Sequence, residues 1–303
     1  MAGRALEQLP KAEIHLHIEG CLDRRDLADL AEAAGERLPR PADRLFQFGG
    51  LSEFLAFLDW ACGLARRADQ LEAIAYRTAQ RLAAQGTLYA DVIINPTHWS
   101  AWRRRIPAML DALDTGFSAA EQDGLPSVGL CVSLLRGQSA EEAIELVDLL
   151  LERRHDRVVA LSVDGNEAAT GRTGVRFAEA FRRAAVGGLA RTVHAGESSG
   201  PEGVRDAVDL LGADRIDHGV RAIEDPALVE RLAEAGVPLG ICPTSNVVLG
   251  LYPDIAAHPI DRLRQAGVRV SVNTDDPALL GIGLVDEYRR CAEAFGWTDE
   301  TIR

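Results

Sequence analysis

The sequence predicts an α/β protein of the (β/α)₈ TIM-barrel class, and three observations support this prediction. Eight short apolar runs rich in β-branched residues alternate with amphipathic stretches long enough for helices. No linker rich in Pro or Ser divides the chain, so residues 1–303 are expected to form one domain. Clusters of acidic, histidine and glycine residues fall at five predicted strand ends, the face that carries the reacting groups of such barrels. A doubly wound open sheet is the alternative.

The elements follow one another as strand and helix along the whole chain. We predict strands over residues 13–18, 88–94, 127–134, 158–163, 190–194, 215–218, 237–242 and 268–273. We predict helices over residues 24–34, 71–84, 106–122, 140–153, 174–185, 204–211, 226–235 and 260–266. Parallel βαβ units account for this alternation. Residues 45–64 are rich in aromatic side chains and exceed what one crossover requires, so we expect an inserted helical lid after strand 1.

Composition limits the classes of partner. The chain has 33 Lys and Arg against 46 Asp and Glu, and its net charge of −13 disfavours nucleic acid and anionic membranes as partners. Neither a signal peptide nor an apolar run of membrane-spanning length occurs, so we expect a cytoplasmic protein that acts on a small molecule. Five scattered cysteines argue against a disulfide scaffold and a thiolate zinc site. The oligomeric state is not predicted.

Histidines at strand ends are the candidate metal ligands. Side chains alternate along a strand, so His15 and His17 share one face. On its own this pair favours buried structural histidines. Metal binding becomes the favoured interpretation because His194 and His218 also lie at strand ends and Asp275 follows the last strand. Three imidazoles and one carboxylate, with a position left for water, are the ligand set of a catalytic divalent metal ion, most simply Zn²⁺.

Two further carboxylates lie near these histidines in the predicted barrel. Glu197 follows His194 across a glycine, where burial would let it hold a proton at neutral pH and act as a general acid or base. Its alternative role is to cap the following helix. Asp276 either bends into the same pocket or stabilises its own loop. The remaining histidines are interpreted as structural or surface groups: His98, His155 and His258.

Five segments together carry a family resemblance. Residues 9–20, 194–197, 215–219, 242–246 and 273–277 have the sequences LPKAEIHLHIEG, HAGE, RIDHG, CPTSN and NTDDP. In this order, and over nearly the whole chain, they resemble the adenosine deaminase family of the amidohydrolase superfamily. The resemblance implies a (β/α)₈ barrel with one Zn²⁺ ion, iron and manganese being alternatives, held by His15, His17, His194 and Asp275. Lys11 is the single lysine and precedes strand 1, so the carboxylated lysine of binuclear members has no counterpart.

The resemblance also implies roles for residues around the metal ion. Glu197 would donate a proton to purine N1, while His218 and Asp275 would orient the water that attacks C6 and releases ammonia. Asp276 would hydrogen bond purine N7, and the backbone N–H of Gly165 would meet N3. The lid would contribute three wall residues to the substrate pocket, namely Phe54, Leu55 and Leu58.

Glu19 departs from the pattern of many adenosine deaminases, which carry Asp at this position to bind the ribose 5′-hydroxyl. Adenosine is the main substrate hypothesis, and adenine and aminodeoxyfutalosine, whose deaminases often carry Glu, are alternatives. A further alternative is an amidohydrolase that cleaves another C–N or P–O bond. A catalytically silent protein that binds purine or metal is the non-enzymatic alternative, against which intact Glu197 and His218 argue. Residues 298–303 begin another helix, and we expect the chain to lack a C-terminal helix.

Overall fold

Eight parallel strands form the barrel in a computed structural model that describes residues 6–303. The strands pair in chain order from β1 to β8. Their bounds are Lys11–His17, Thr87–Ile94, Ser127–Leu135, Val158–Asp164, Ala190–Ala195, Arg215–His218, Leu239–Ile241 and Val270–Val272. The prediction of a (β/α)₈ barrel is confirmed, and the open sheet is wrong because the last strand returns to the first.

Fourteen α-helices, labelled α1 to α14, follow strand β1. Their bounds are Arg24–Ala34, Leu51–Gly63, Ala68–Ala84, Ile106–Gln122, Ala140–Glu152, Glu167–Thr170, Gly174–Val186, Pro201–Asp209, Pro226–Ala235, Pro243–Val248, Ile260–Gln265, Pro277–Leu280, Leu284–Phe295 and Asp299–Ile302. All eight predicted helices are present, with small changes at their ends. Among residues 6–303, no helix combines the length and the apolar character needed to cross a bilayer.

Strands β7 and β8 are shorter than the sequence predicts, because the residues before them complete the preceding helices. The backbone N–H of Val237 donates to the carbonyl oxygen of Leu232, with an N–O distance of 3.2 Å. The N–H of Val268 donates in the same way to Leu263, at 3.1 Å. Both bonds satisfy carbonyl groups at helix C-termini, which otherwise lack partners. These N–H groups are therefore not part of the sheet.

Alternation along the strands gives the barrel an apolar outer face and a polar interior. The large core cluster between sheet and helices includes the outward-facing residues Leu16, Val92, Leu130 and Ile216. Inside the barrel, the Arg215 guanidinium donates to Asp91 at 2.6 Å and to Asp217 at 3.0 Å. Buried charged groups need such partners, because an unpaired charge in a dry interior is very costly. This interior network lies below the carboxyl ends of the strands.

The barrel closes between β8 and β1 through the backbone of Asp275. Asp275 forms an isolated parallel bridge with Leu16. Its carbonyl oxygen accepts from the N–H of His17 at 2.7 Å, and its own N–H donates to the carbonyl oxygen of His15 at 3.2 Å. The first and last strand ends are therefore held together at the face where the polar clusters of the sequence lie.

Gly20 provides a test of this closure. It lies in the 3₁₀ turn Glu19–Cys21, and a Cβ atom there would lie 2.1 Å from Asp276 Oδ1 and 2.4 Å from Asp276 Cα. We predict that Gly20→Ala lowers the free energy of unfolding, measured by urea denaturation, by about 1–3 kcal/mol, the usual cost of overpacking. Gly137→Ala is the control, because a Cβ atom at Gly137 would meet nothing within 4 Å. Equal stability of the two variants would contradict the prediction.

Candidate active site and metal centre

One pocket at the carboxyl end of the barrel contains the predicted site residues. Its lining is His17, Glu19, Phe54, Leu55, Leu58, His98, Asp164, Gly165, His194, Glu197, His218, Leu249, Asp275 and Asp276. His15 is the single predicted site residue outside this lining, and it is fully buried behind the pocket. The structure therefore brings together residues that are distant in sequence, the largest separation being the 260 positions from His15 to Asp275.

Three imidazoles and one carboxylate converge at the base of the pocket. His194 Nε2 lies 3.1 Å from His15 Nε2 and 3.0 Å from His17 Nε2. Asp275 Oδ1 lies 3.3 Å from His15 Nε2 and 3.4 Å from His17 Nε2. Ligand atoms held about 2.0–2.2 Å from one zinc ion lie roughly 3.0–3.6 Å apart at near-tetrahedral angles. These four side chains therefore fit a single metal ion of this kind.

Contacts behind the imidazoles set which ring nitrogen faces the cluster. His15 Nδ1 lies 2.8 Å from the carbonyl oxygen of Gly240, so Nδ1 donates a proton there and Nε2 is left with a free lone pair. Asp217 is buried below both ligands, and its carboxylate oxygens lie 3.9 Å from His15 Nδ1 and 3.8 Å from His194 Nδ1. A carboxylate behind metal-ligating imidazoles is the usual arrangement in metal sites.

The charges of the cluster are arranged for a cation. Burial opposes protonation of His15, yet the carboxylates of Asp217 and Asp275 raise its pKa to about 9. Burial would raise the pKa of Asp275, but the charges of His15, His218 and His17 hold it well below its ordinary value. The cluster therefore attracts positive charge, and a metal ion that binds here replaces a proton.

Two non-glycine residues of the site have left-handed backbone conformations. The φ angle is 67° at His218 and 64° at Asp275, and no other non-glycine residue among residues 6–303 has a positive φ. This conformation costs of order 1–3 kcal/mol and persists where the surroundings enforce it. At Asp275 the surroundings include Ser245, whose Oγ donates to Asp275 Oδ2 at 2.7 Å. Such strain is concentrated at functional sites.

Glu197 lies in the same pocket and does not cap a helix. Its Oε1 lies 3.5 Å from His218 Nε2. Burial raises the pKa of Glu197 to about 8, and the charges of Asp275 and Glu167 act in the same direction. The helix that follows, α8, has Gly200 at its N-cap position and no side-chain cap, so the capping alternative is wrong. A pKa of about 8 would leave Glu197 protonated at neutral pH, where it could donate that proton.

Asp276 also turns into the pocket. It precedes α12, but its side chain makes no capping hydrogen bond to that helix. Its Oδ1 atom is buried and has no hydrogen-bond partner in the described part of the chain. Burial and the charges of Asp275 and Glu19 raise the pKa of Asp276 well above its ordinary value. The role of a loop-stabilising residue is therefore not realised.

The remaining predicted residues form the walls of the pocket. Gly165 has a φ angle of 102°, which explains why glycine occupies this position. On another wall, α2 contributes the apolar side chains of Phe54, Leu55 and Leu58. Helix α2 thus contributes one wall of the pocket, while the inserted helical lid stays a prediction.

The loop after β2 takes part in the site, which the sequence interpretation did not foresee. Glu19 Oε1 accepts from the backbone N–H of Asn95 at 2.8 Å and from Trp99 Nε1 at 2.7 Å, contacts that sequence reasoning missed. His98, interpreted as a structural or surface group, lines the pocket, and its Nδ1 contacts Asp59 at 2.8 Å. The polar and aromatic segment 95–99 directly after strand β2 was the available signal, because it lies at the same barrel face.

Glu167 and Arg136 are further residues that the sequence reasoning missed. The backbone N–H groups of Gly196 and Glu197 donate to the two carboxylate oxygens of Glu167, at 3.0 and 2.9 Å. Arg136 is buried, lies 3.7 Å from Glu167 and donates to Thr173 Oγ1 at 3.0 Å. These contacts hold the loop after β5 in place. No local motif marks either residue, since their partners are distant in sequence.

An α/β barrel that gathers imidazoles and a carboxylate at the carboxyl ends of its strands defines the class of amidohydrolase-type barrels. Within this class, the family model described as adenosine deaminase matches residues 10–303. The chain belongs to the adenosine deaminase family.

Curated relatives and solved structures are similar over nearly the whole chain. Adenine deaminase of Rhodospirillum rubrum is 35% identical over 302 residues, covering 98% of this chain and 90% of that protein. Adenine deaminase of Streptomyces coelicolor is 36% identical, covering 99% and 88%. The structure of adenine deaminase from Arthrobacter aurescens has a TM-score of 0.90 at 29% identity, covering 96% and 89%. An amidohydrolase from Burkholderia ambifaria with bound Zn has a TM-score of 0.91 at 31% identity, covering 100% and 85%.

The donor cluster makes a prediction about metal content. We expect His194→Ala and Asp275→Ala to lower the affinity for Zn²⁺ by more than about a hundredfold, since changes behind the ligands alone cost about 10–100-fold. Glu197→Gln is the matched control, because it lies in the same pocket but outside the four-ligand cluster. The measurement is metal content after dialysis against a series of zinc buffers. Unchanged zinc affinity in His194→Ala would show that the cluster is not the binding site.

Proposed function

We propose that the protein deaminates a 6-aminopurine hydrolytically and that its substrate is adenine, which reacts with water to give hypoxanthine and ammonia. Membership of the family supports a hydrolase of this type. Relatives named adenine deaminase support the free base, so the sequence hypothesis that favoured adenosine is revised in favour of its alternative. The observation that carries the proposal is the convergence of the metal-ligand set with Glu197 in one pocket.

The proposed cofactor is one divalent metal ion, held by His15, His17, His194 and Asp275. When bound, such an ion supplies a nucleophile at neutral pH by lowering the pKa of water. A donor set of three nitrogens and one carboxylate oxygen favours Zn²⁺, and the similar structure with bound Zn supports this choice. Iron and manganese use related ligands, and metal analysis of the purified protein distinguishes the three.

Residues of the chain carry the proton transfers in this proposal. Glu197 donates its proton to purine N1, which makes C6 more electrophilic. His218 Nε2 lies 3.5 Å from Glu197 and 3.7 Å from Asp275, so it can orient the attacking water between them. N1 keeps the donated proton in the product. Of the two protons of the water, one leaves with ammonia and the other restores Glu197.

The other polar groups of the pocket are assigned to the imidazole side of the purine. In the proposed pose Asp276 faces N7 and the N–H of Gly165 faces N3, and N9 lies between these two atoms along the same edge. Glu19 is left to meet N9. Its Oε1 is occupied by Asn95 and Trp99, while its Oε2 is buried without a partner among residues 6–303.

Glu19 therefore supports adenine as the substrate by a hydrogen-bond argument. Adenine carries a proton on its imidazole ring, and the N9–H tautomer offers it to Glu19 Oε2. A nucleoside has ribose in place of this proton, so its N9 offers Glu19 Oε2 no donor. Sites built around a substrate N–H or O–H reject analogues that lack it by about 10⁴–10⁵-fold. Aminodeoxyfutalosine is also substituted at N9 and likewise offers no ring proton there.

Substrate comparison tests this proposal. We expect kcat/KM for adenine to exceed that for adenosine, aminodeoxyfutalosine and 9-methyladenine by at least about a thousandfold, measured by ultraviolet absorbance and ammonia release. The analogue 9-methyladenine is the matched control, because it removes the N9 proton while adding one methyl group. Rapid turnover of 9-methyladenine would contradict the role of Glu19. Absence of turnover of all four compounds by the zinc-loaded protein would overturn the proposed function.

Glu197→Gln tests the assignment of the proton donor. The amide is close in size to the carboxyl group but cannot transfer the proton, so we expect kcat for adenine to fall by about 10²–10⁴-fold. Zinc content of the same sample is the control and should equal that of the unmodified protein. A Glu197→Gln variant with full activity would rule out this role.

A further inference from the structure

His218 is attached to a buried polar chain that the proposed reaction leaves unexplained. His218 Nδ1 lies 3.3 Å from Asn246 Nδ2, and Asn246 Oδ1 lies 3.0 Å from His258 Nε2. His258 Nδ1 in turn accepts from the backbone N–H of Ile260 at 3.2 Å. The side chains are isolated from solvent, because His218, Asn246 and His258 are 1%, 0% and 2% exposed. The hydrogen bonds among these side chains therefore determine which ring nitrogen of each histidine carries a proton.

A backbone group fixes the direction of this chain of hydrogen bonds. Ile260 is the first residue of α11, so its N–H has no partner within the helix, and it can only donate. His258 Nδ1 must then be the acceptor. A neutral imidazole carries one proton, so that of His258 lies on Nε2, and burial supports the neutral form by lowering its pKa to about 3.

The direction continues through the amide of Asn246. Because His258 Nε2 donates, the atom of Asn246 that faces it must be the carbonyl oxygen, and the amide nitrogen faces His218. The amide N–H then donates to His218 Nδ1, which leaves Nε2 as the protonated nitrogen of the neutral His218 ring. The backbone of Asn246 is also anchored, because its carbonyl oxygen accepts from the N–H of Leu251 at 2.8 Å.

The opposite side of His218 agrees with this assignment. Nε2 faces two carboxylate oxygens, Glu197 Oε1 at 3.5 Å and Asp275 Oδ2 at 3.7 Å. The carboxylate of Asp275 can only accept hydrogen bonds, and a protonated Glu197 still offers the carbonyl oxygen of its carboxyl group as an acceptor. A proton on Nε2 therefore has acceptors in the pocket, whereas a lone pair there would face the lone pairs of Asp275 Oδ2.

We infer that Asn246 and His258 are positioning residues that fix His218 as the Nε2–H tautomer, so that His218 enters the pocket as a hydrogen-bond donor. The catalytic consequence rests on the proposed deaminase function, in which His218 orients the attacking water. An Nε2–H group donates to the oxygen of that water and directs its lone pair toward C6. A tautomer protonated on Nδ1 would present an acceptor to the water and misalign it.

The tautomer can be measured without any turnover. Selective ¹⁵N labelling of the seven histidines, with His218→Gln for assignment, reports by NMR which ring nitrogen carries the proton. In the metal-free and in the zinc-loaded protein we expect His218 to be protonated on Nε2. A His218 ring protonated on Nδ1 in the unmodified protein would overturn the inference, whatever the substrate of the enzyme.

Asn246→Asp is the decisive variant, because it keeps the size of the side chain and replaces the donor by an acceptor. We expect the His218 proton to move to Nδ1 and kcat for adenine to fall at least about tenfold, with KM changed less than about threefold. A wrong histidine tautomer costs about 10⁴-fold in serine proteases, which is an upper bound here. A tautomer that stays on Nε2, or a moved proton without loss of kcat, would overturn the inference.

Variants of His258 separate positioning from packing. His258→Leu should lower kcat and weaken the preference for the Nε2–H form, while His258→Gln, which keeps an N–H donor, should recover most of both. Equal kcat in the two His258 variants would overturn the inference. His155→Gln is the control, since His155 precedes β4 at the opposite end of the barrel. Thermal unfolding of each variant identifies loss of folding. An unmodified protein that deaminates none of the substrates refutes the proposed function, while the NMR result still decides the tautomer.

Discussion

Both the closure of the barrel and the geometry of the candidate metal site depend on the backbone hydrogen bonds between Asp275 and the first strand. Strand β8 is short, and the isolated bridge between Leu16 and Asp275 completes the barrel. The same residue contributes a carboxylate to the ligand cluster, and its left-handed backbone directs that carboxylate toward His15 and His17. Closing the barrel and assembling the cluster are therefore one event. A change that shifts β8 relative to β1 alters both, which explains why Gly20 must allow the close approach of Asp276.

The sequence predicts the fold and the ligand set because both depend on short-range patterns. Eight apolar runs and the helices between them determine a parallel sheet, and the strand period of two places His15 and His17 on one face. Strand ends of a barrel meet at one face, so His194, His218 and Asp275 could be grouped with this pair without knowledge of any distance. The choice of His194 as the third imidazole ligand came from the family resemblance. The exact ends of the strands are harder to predict from sequence. Val237 and Val268 are of a residue type common in strands, but their N–H groups hydrogen bond to the preceding helices.

The supporting residues could not be predicted, because their roles depend on packing between distant segments. In the sequence, Glu167 looks like an ordinary acidic residue in the first turn of a helix. Its role as a hydrogen-bond acceptor for the loop after β5 becomes visible only when β4 and β5 are paired. His258 and Asn246 are separated from His218 by 40 and 28 positions. A histidine beside a proline has no local feature that distinguishes a buried hydrogen-bond partner from a surface group. Such residues act through the orientation of others, and their signal lies in three-dimensional contacts.

The distribution of unsatisfied acceptors connects stability with substrate choice. Three pocket carboxyl groups each have one buried oxygen without a partner in the described structure: Glu19, Asp164 and Asp276. Each unsatisfied acceptor costs about 1–3 kcal/mol in the free protein, and no folding requirement explains why three occur together. In the proposed pose the N9–H of adenine donates to Glu19 Oε2, and Asp276, whose pKa is raised by burial and by the charges of Asp275 and Glu19, can donate its own proton to N7. Among the three purine candidates only adenine has a ring N–H. Under the proposed function, the unsatisfied oxygen of Glu19 is therefore a physical reason for preferring the free base.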